Sequence, residues 1–151
     1  MSLSFLNIEN ILVFEDSQED QFIIKRKLDQ AGLRAALHFC NDKVSFLHQI
    51  AKNIPDIILS DYHIPGIHGY EILELCKARF PNVPFIFVTG KITEDIAEET
   101  VLVDADAYLL KDKIDYLPSM VKLIWNNHIH SLKLKFQNSE LDLLRKKMEE
   151  N

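Results

Sequence analysis

The sequence predicts an α/β fold: a doubly wound, five-stranded parallel sheet with an extended C-terminal helix. Three observations carry that prediction. Short apolar runs recur at 10–14, 35–40, 56–61, 85–89 and 107–110, each bounded by turn residues. Between them lie stretches of helical period with short connections, the alternation that gives a parallel sheet covered on both faces. The central runs, Ile57-Ile58-Leu59 and Phe85-Ile86-Phe87-Val88, contain no polar residue, as expected of strands buried on both sides. Right-handed crossovers leave few topologies for such a chain.

The first strand, Asn10 to Phe14, ends in Glu15-Asp16. Ser17 is a natural N-cap for the helix that follows, and Asp20 suits its first turn. Phe22, Ile24, Leu28 and Ala31 can line one face, and Gly32 stops the helix. The second strand, 35–40, is weaker, and Asn41-Asp42 forms the turn and cap after it. Val44, Phe46, Leu47, Ile50 and Ala51 give the next helix its period. The third strand ends on Asp61, and Pro65, Gly66 and Gly69 mark a turn before a helix from about Gly69 to Arg79. Pro81-Asn82-Val83-Pro84 is a turn. The fourth strand ends on Thr89-Gly90, and Thr93 can cap a helix running to about Val103. The fifth strand ends on Lys111, and the last helix starts near Ile114 or Leu117.

Composition sets bounds on function. Of 151 residues 47% are apolar and 26% charged, an ordinary globular balance. The net charge of −6 argues against a nucleic-acid surface. No apolar run reaches the length of a membrane span, and no signal peptide is visible. A cytoplasmic protein is expected. Cys40 and Cys76, far apart and flanked by apolar residues, read as buried free thiols of a reducing compartment. The six histidines lack metal-site grouping. We divide the chain into a domain over 1–129 and a helical tail or linker over 130–151. In that tail Leu134, Leu141 and Met148 recur every seven residues, with Leu144 three after Leu141. This is a short heptad signal, open between a coiled coil and a solvated helix.

Glu15, Asp16, Asp61, Thr89 and Lys111 all fall at carboxyl ends of strands, the edge of a parallel α/β sheet where ligands bind. Clustered carboxylates repel, and burial makes each harder to ionise. A hard divalent cation offsets that, and Mg²⁺ binds through few carboxylates, waters and a substrate phosphate. Lys111 adds a point charge, and Thr89 a hydroxyl donor. Such a set suits phosphoryl transfer to an aspartate, with Asp61 as nucleophile. Gly90 leaves no side chain in the way of a phosphate.

The ordered motifs Glu15-Asp16, Asp61-x-x-x-Pro65-Gly66-x-x-Gly69, Thr89-Gly90 and Tyr108-Leu109-Leu110-Lys111 resemble the receiver domain of two-component response regulators, over roughly 9–128. The resemblance implies a flavodoxin-like sheet of order 2-1-3-4-5, as in chemotaxis receivers. It implies that Asp61 accepts a phosphoryl group from a histidine kinase or histidine phosphotransfer protein. Mg²⁺ would be held by Asp16, Asp61, the backbone carbonyl of His63 and, through water, Glu15. Thr89 and Tyr108 would form the switch pair that changes the surface of the fourth helix, fifth strand and last helix. His63 and Lys91, two residues past Asp61 and Thr89, would tune the phosphate's lifetime.

Three positions depart from the family pattern. Asp112 replaces the proline after the lysine, which leaves the conformation of that peptide open, since a cis non-proline bond is costly. Asp104 replaces a common glycine, and Glu15 a common aspartate. The alternative function is a degenerate receiver that serves as a phosphorylation-independent interaction module. A homodimer through the last helix, or through the face of the fourth helix, fifth strand and last helix, is a further expectation. So is a place at the N-terminal end of a larger sensory or hybrid kinase protein. A flavin-binding protein of the same fold fits poorly, because the first strand is followed by acids where a hydroxyl- and glycine-rich phosphate loop would stand.

Overall fold

A computed structural model describes residues 8–91, Glu94 and residues 105–150. Five parallel strands form one sheet: β1 (Asn10–Phe14), β2 (Ala36–Cys40), β3 (Ile57–Ser60), β4 (Phe85–Thr89) and β5 (Ala107–Leu110), in the spatial order β2-β1-β3-β4-β5. The predicted fold and order are therefore observed. Helices α1 (Gln18–Gln30), α2 (Lys43–Lys52) and α3 (Gly69–Arg79) follow the first three strands. After β5 a 3₁₀ turn (Lys111–Tyr116) leads into one C-terminal helix, Leu117–Glu149, of 33 residues. Apart from Glu94, the helix predicted over 93–103, and with it Asp104, lies outside the described residues.

The alternation of each strand divides the core in two. Leu12, Phe14, Ile58, Phe85 and Phe87 face α2 and α3, where they meet Phe46, Ile50, Ile72 and Leu73. Ile11, Val13, Ile57, Leu59, Ile86 and Val88 face the other way, against Ile24 and Leu28 of α1 and Leu117, Val121 and Trp125 of the C-terminal helix. Full burial of each such side chain contributes about 1.5–3 kcal/mol. Cys40 and Cys76 are buried free thiols, as expected.

The caps follow the sequence. Ser17 accepts from the Asp20 amide at 3.2 Å, and Asp42 forms a reciprocal capping box with Ser45. At the amino edge two acids serve the backbone. Asp56 Oδ2 accepts the amides of Glu9 and Asn10 at 2.7 and 2.9 Å, and Asp106 Oδ2 accepts that of Phe85 at 2.7 Å.

Some expected core positions face solvent. On α1 only Ile24 and Leu28 are buried, whereas Phe22 and Ala31 are exposed. On α2 Phe46 and Ile50 are buried, whereas Val44, Leu47 and Ala51 are not. A helix flanking a sheet buries a narrow stripe, and the helical period alone overstates its width.

The turn after β3 is more ordered than the sequence suggests. His63–Ile64 pairs with Ile67–His68 as a two-residue antiparallel ribbon closed by Pro65 and Gly66, and Gly66 has φ +85°. Gly69 is required for space. A Cβ there would lie 2.7 Å from Cγ of the buried Tyr62 ring.

Candidate functional site

The site lies at the carboxyl edge, where the strand order reverses between β1 and β3. Hydrogen bonds continue one residue past the strands and fix its two central acids. The Glu15 amide donates to the Cys40 carbonyl at 3.0 Å, and the Asp61 amide to the Phe14 carbonyl at 2.9 Å. Glu15 and Asp61 are both buried, whereas Asp16 is exposed. One oxygen from each of Glu15, Asp16 and Asp61 lies within 4.8 Å of the others, a spacing that a single cation can bridge.

Lys111 enters from the end of β5. Its Nζ lies 2.6 Å from Glu15 Oε1, 2.7 Å from Asp20 Oδ2 and 2.8 Å from Asp61 Oδ2. Burial alone would lower the pKa of this ammonium. Its hydrogen bonds to Asp20, Asp61 and Glu15 outweigh that, so the net shift is upward and the group stays charged. Burial pushes the Glu15 carboxyl up to about 7, aided by the Asp61 charge and opposed by hydrogen bonds from Lys111 and the Ser17 amide.

Asp61 is held at both oxygens: Oδ2 by Lys111, Oδ1 by the His63 amide at 3.1 Å. Its carboxylate plane is thus set before any ligand arrives. Ser60, buried beneath it, donates its hydroxyl to the Asp61 carbonyl at 2.9 Å. Thr89 ends β4 fully buried, with its hydroxyl 3.4 Å from the Lys91 carbonyl. Among the described residues, a Cβ on Gly90 would meet no atom within 4 Å. The side chains of His63 and Lys91 are exposed on the same rim. Tyr108 lies on β5 opposite Phe87 and is about half exposed. The peptide between Lys111 and Asp112 is trans.

The structure therefore brings Glu15, Asp16, Asp61 and Lys111 into one cluster and sets Thr89, Gly90 and Lys91 on the adjoining strand end. Tyr108 lies on β5, two residues before its end. Sequence reasoning missed Asp20. It was read as a helix-dipole acid, yet it is the third carboxylate on Lys111. It also missed Gln21, whose Nε2 donates to the Glu15 carbonyl at 2.6 Å. Both sit in the first turn of α1, and the only signal was their closeness in sequence to Glu15. A groove of about 400 Å³ lined by Lys77, Asn82, Asp106, His128 and Lys135 opens at the other rim and shares no residue with the cluster.

Comparison with known proteins assigns the family and the fold. The response regulator receiver domain family matches residues 11–122. The transcriptional regulator NtrC of Escherichia coli K12 is 30% identical over 101 residues, covering 67% of this chain and 21% of NtrC. The transcriptional activator IrlR of Burkholderia pseudomallei 1026b is 28% identical over 142 residues, covering 91% of this chain and 60% of IrlR. The chain thus spans between a fifth and three fifths of these relatives. A CheY-like receiver domain protein from Methanospirillum hungatei JF-1 superposes with a TM-score of 0.74 at 21% identity, covering 83% of this chain and 99% of that one, and so shares its fold. With the family matched over residues 11–122, a span that takes in all five strands, the chain belongs to the response regulator receiver domains.

Proposed function

We propose that this chain is a phosphoacceptor of a two-component relay, in which Asp61 takes a phosphoryl group from a phosphohistidine of a histidine kinase or phosphotransfer protein. One observation carries the reading: a single ammonium, that of Lys111, spans Asp61 and Glu15 inside a cluster of three carboxylates. In a purely structural role three acids at one rim would be a net liability. They suit a pocket that meets a cation and an anionic phosphoryl group together.

The donor set fits Mg²⁺: Asp16, which is exposed, and Asp61 would be its carboxylate ligands, Glu15 is close enough to act through water, and the His63 carbonyl would be a further oxygen. Bound there, the ion would offset charge on the phosphoryl oxygens. The chain's own part follows from its geometry. An Asp61 oxygen attacks phosphorus, a P–O bond forms, the P–N bond to the donor histidine breaks, and the leaving imidazole keeps its electron pair and takes a proton. Lys111 moves from Asp61 Oδ2 to a phosphoryl oxygen, still braced by Asp20 and Glu15. Thr89 gives up its long contact with the Lys91 carbonyl and donates to a second phosphoryl oxygen. That movement leaves room for Tyr108 to turn inward and change the β5 surface. His63 and Lys91 overlook the phosphate and set its rate of hydrolysis.

The domain ends near residue 129, and the segment after it is a helical linker toward a sensory or kinase module. The long helix, and relatives that extend beyond the matched segment, support a linker role. Incubation with a small phosphodonor and Mg²⁺ tests the reading. A mass gain of one phosphoryl group that is absent in Asp61→Asn supports it. No gain in the unaltered protein would count against it and in favour of the interaction-module alternative.

A further inference from the structure

The C-terminal helix continues well past the domain it covers, and its apolar residues form two stripes on opposite sides. Leu117, Val121 and Trp125 face the core. Ile129, Leu132, Phe136 and Leu143 prolong that side, at the spacings of three, four and seven residues that keep to one face. Leu134 comes nine residues after Trp125, about two and a half turns at 3.6 residues per turn, and so lies opposite. Leu141, Leu144 and Met148 follow it on that outer side, and Leu123 precedes it. All five outer residues are exposed, from 47% for Leu134 to 77% for Met148. A solvated helix with no tertiary packing is marginal in water, so one of these faces needs a partner.

We propose that a second copy of this chain packs in parallel, and in register, along the outer stripe over Leu134–Met148. Three features select this occupant and orientation. First, the domain stands on the side of Trp125. A parallel helix on the inner stripe would run into α1, whereas one on the outer stripe leaves both domains outside the seam. Second, with Leu134, Leu141 and Met148 at position a, Gln137 falls at d beside Leu144. In register, Gln137 meets its own copy, amide to amide. Antiparallel registers over the same span set it against a leucine or Met148 and leave it unpaired. Third, Glu140 at g reaches Arg145 at e of the copy, an attractive pair made twice by the two-fold axis. The antiparallel register that aligns Leu134 with Leu144 sets Glu140 on Glu140 and Lys133 on Lys147.

The test uses the full chain and does not depend on phosphoryl transfer. Equilibrium sedimentation at micromolar concentration should give twice the chain mass, and the Leu141→Lys/Leu144→Lys double variant should give the monomer. These side chains lie outside the domain, so an unchanged circular dichroism melt of the domain shows that it is intact. Under mild oxidation Leu144→Cys should cross-link to itself, and Phe136→Cys should not. Glu140→Arg should weaken the dimer roughly tenfold, and Glu140→Arg/Arg145→Glu should restore it. A monomer at every concentration, a cross-link through Phe136→Cys, or no rescue by the charge swap would overturn the proposal.

Discussion

The carboxyl rim and the C-terminal helix use the same residue types in opposite ways. At the rim Glu15 and Asp61 are buried, and each is paired with Lys111. Lys111 serves three carboxylates, and both oxygens of Asp61 are engaged. Beyond Ser131 the charges are solvated, and large apolar side chains stand exposed among them. The rim's buried charges are thus satisfied within the domain, whereas the helix leaves apolar surface uncovered. Charge buried at a rim is costly unless it is used, and so are leucines left in water.

The widest separation of the two regions comes from Lys111→Ala. Loss of the ammonium should slow phosphoryl uptake by on the order of 100-fold or more, the usual effect of removing one stabiliser of transferring charge. The sedimentation profile should not change. If it did, rim and helix would not be independent. Leu141→Lys/Leu144→Lys should do the reverse, giving a monomer with an unaltered uptake rate under a small phosphodonor.

Glu15 sharpens the contrast through pH. Its folded pKa, about 7, lies above the usual 4.5. A raised carboxyl favours folding fully below pH 4.5, and that contribution is lost as pH rises through 7. In EDTA, Glu15→Gln should therefore be more stable than the parent at pH 8, by up to on the order of 3 kcal/mol. The two should nearly coincide at pH 4.5. Thermal melts at both values decide; a variant destabilised at pH 8 would show that the Lys111 bond outweighs burial.

Gly69→Ala should cost about 1–3 kcal/mol, since the added methyl meets the buried Tyr62 ring. Chemical denaturation measures it, and an unchanged midpoint would mean that Tyr62 moves freely aside. Lys91→Ala should shorten the phosphate lifetime a few-fold, by an amount that shrinks with added salt. An equal lifetime at all salt concentrations would remove Lys91 from the tuning set. The smallest effect is expected at the thiols. Burial pushes Cys40 and Cys76 up to about 12, so the folded protein should resist alkylation at pH 8.

How much the sequence revealed differs between the two regions for the same reason. A strand buried on both faces must be apolar throughout, so the first polar residue after Phe14 or Leu59 marks where the chain emerges; β5 is an edge strand with Tyr108 half exposed, and there the mark is the end of the apolar pair Leu109-Leu110. Glu15, Lys111 and, one residue past the buried Ser60, Asp61 could be placed that way without coordinates. Asp20 and Gln21 could not, because on a helix both dipole placement and a tertiary contact call for a polar side chain. Phe22 and Val44 misled for a related reason: an apolar residue one step off a helix's buried stripe looks periodic and is not covered. The ribbon around Gly66 follows from Pro-Gly chemistry, but the collision that forbids a side chain at Gly69 needs the position of Tyr62. In the tail the heptad was readable, and the second stripe from Ile129 to Leu143 became visible only once Trp125 showed which way the domain lies.

The two aspartates at the amino edge have a consequence of their own. By clasping the amides of Glu9, Asn10 and Phe85, Asp56 and Asp106 hem the sheet at its quiet margin. Neighbouring strands cannot slide when their starting points are sewn down, so the loops at the far ends inherit fixed positions. Those loops can then vary in sequence without unravelling the cloth beneath.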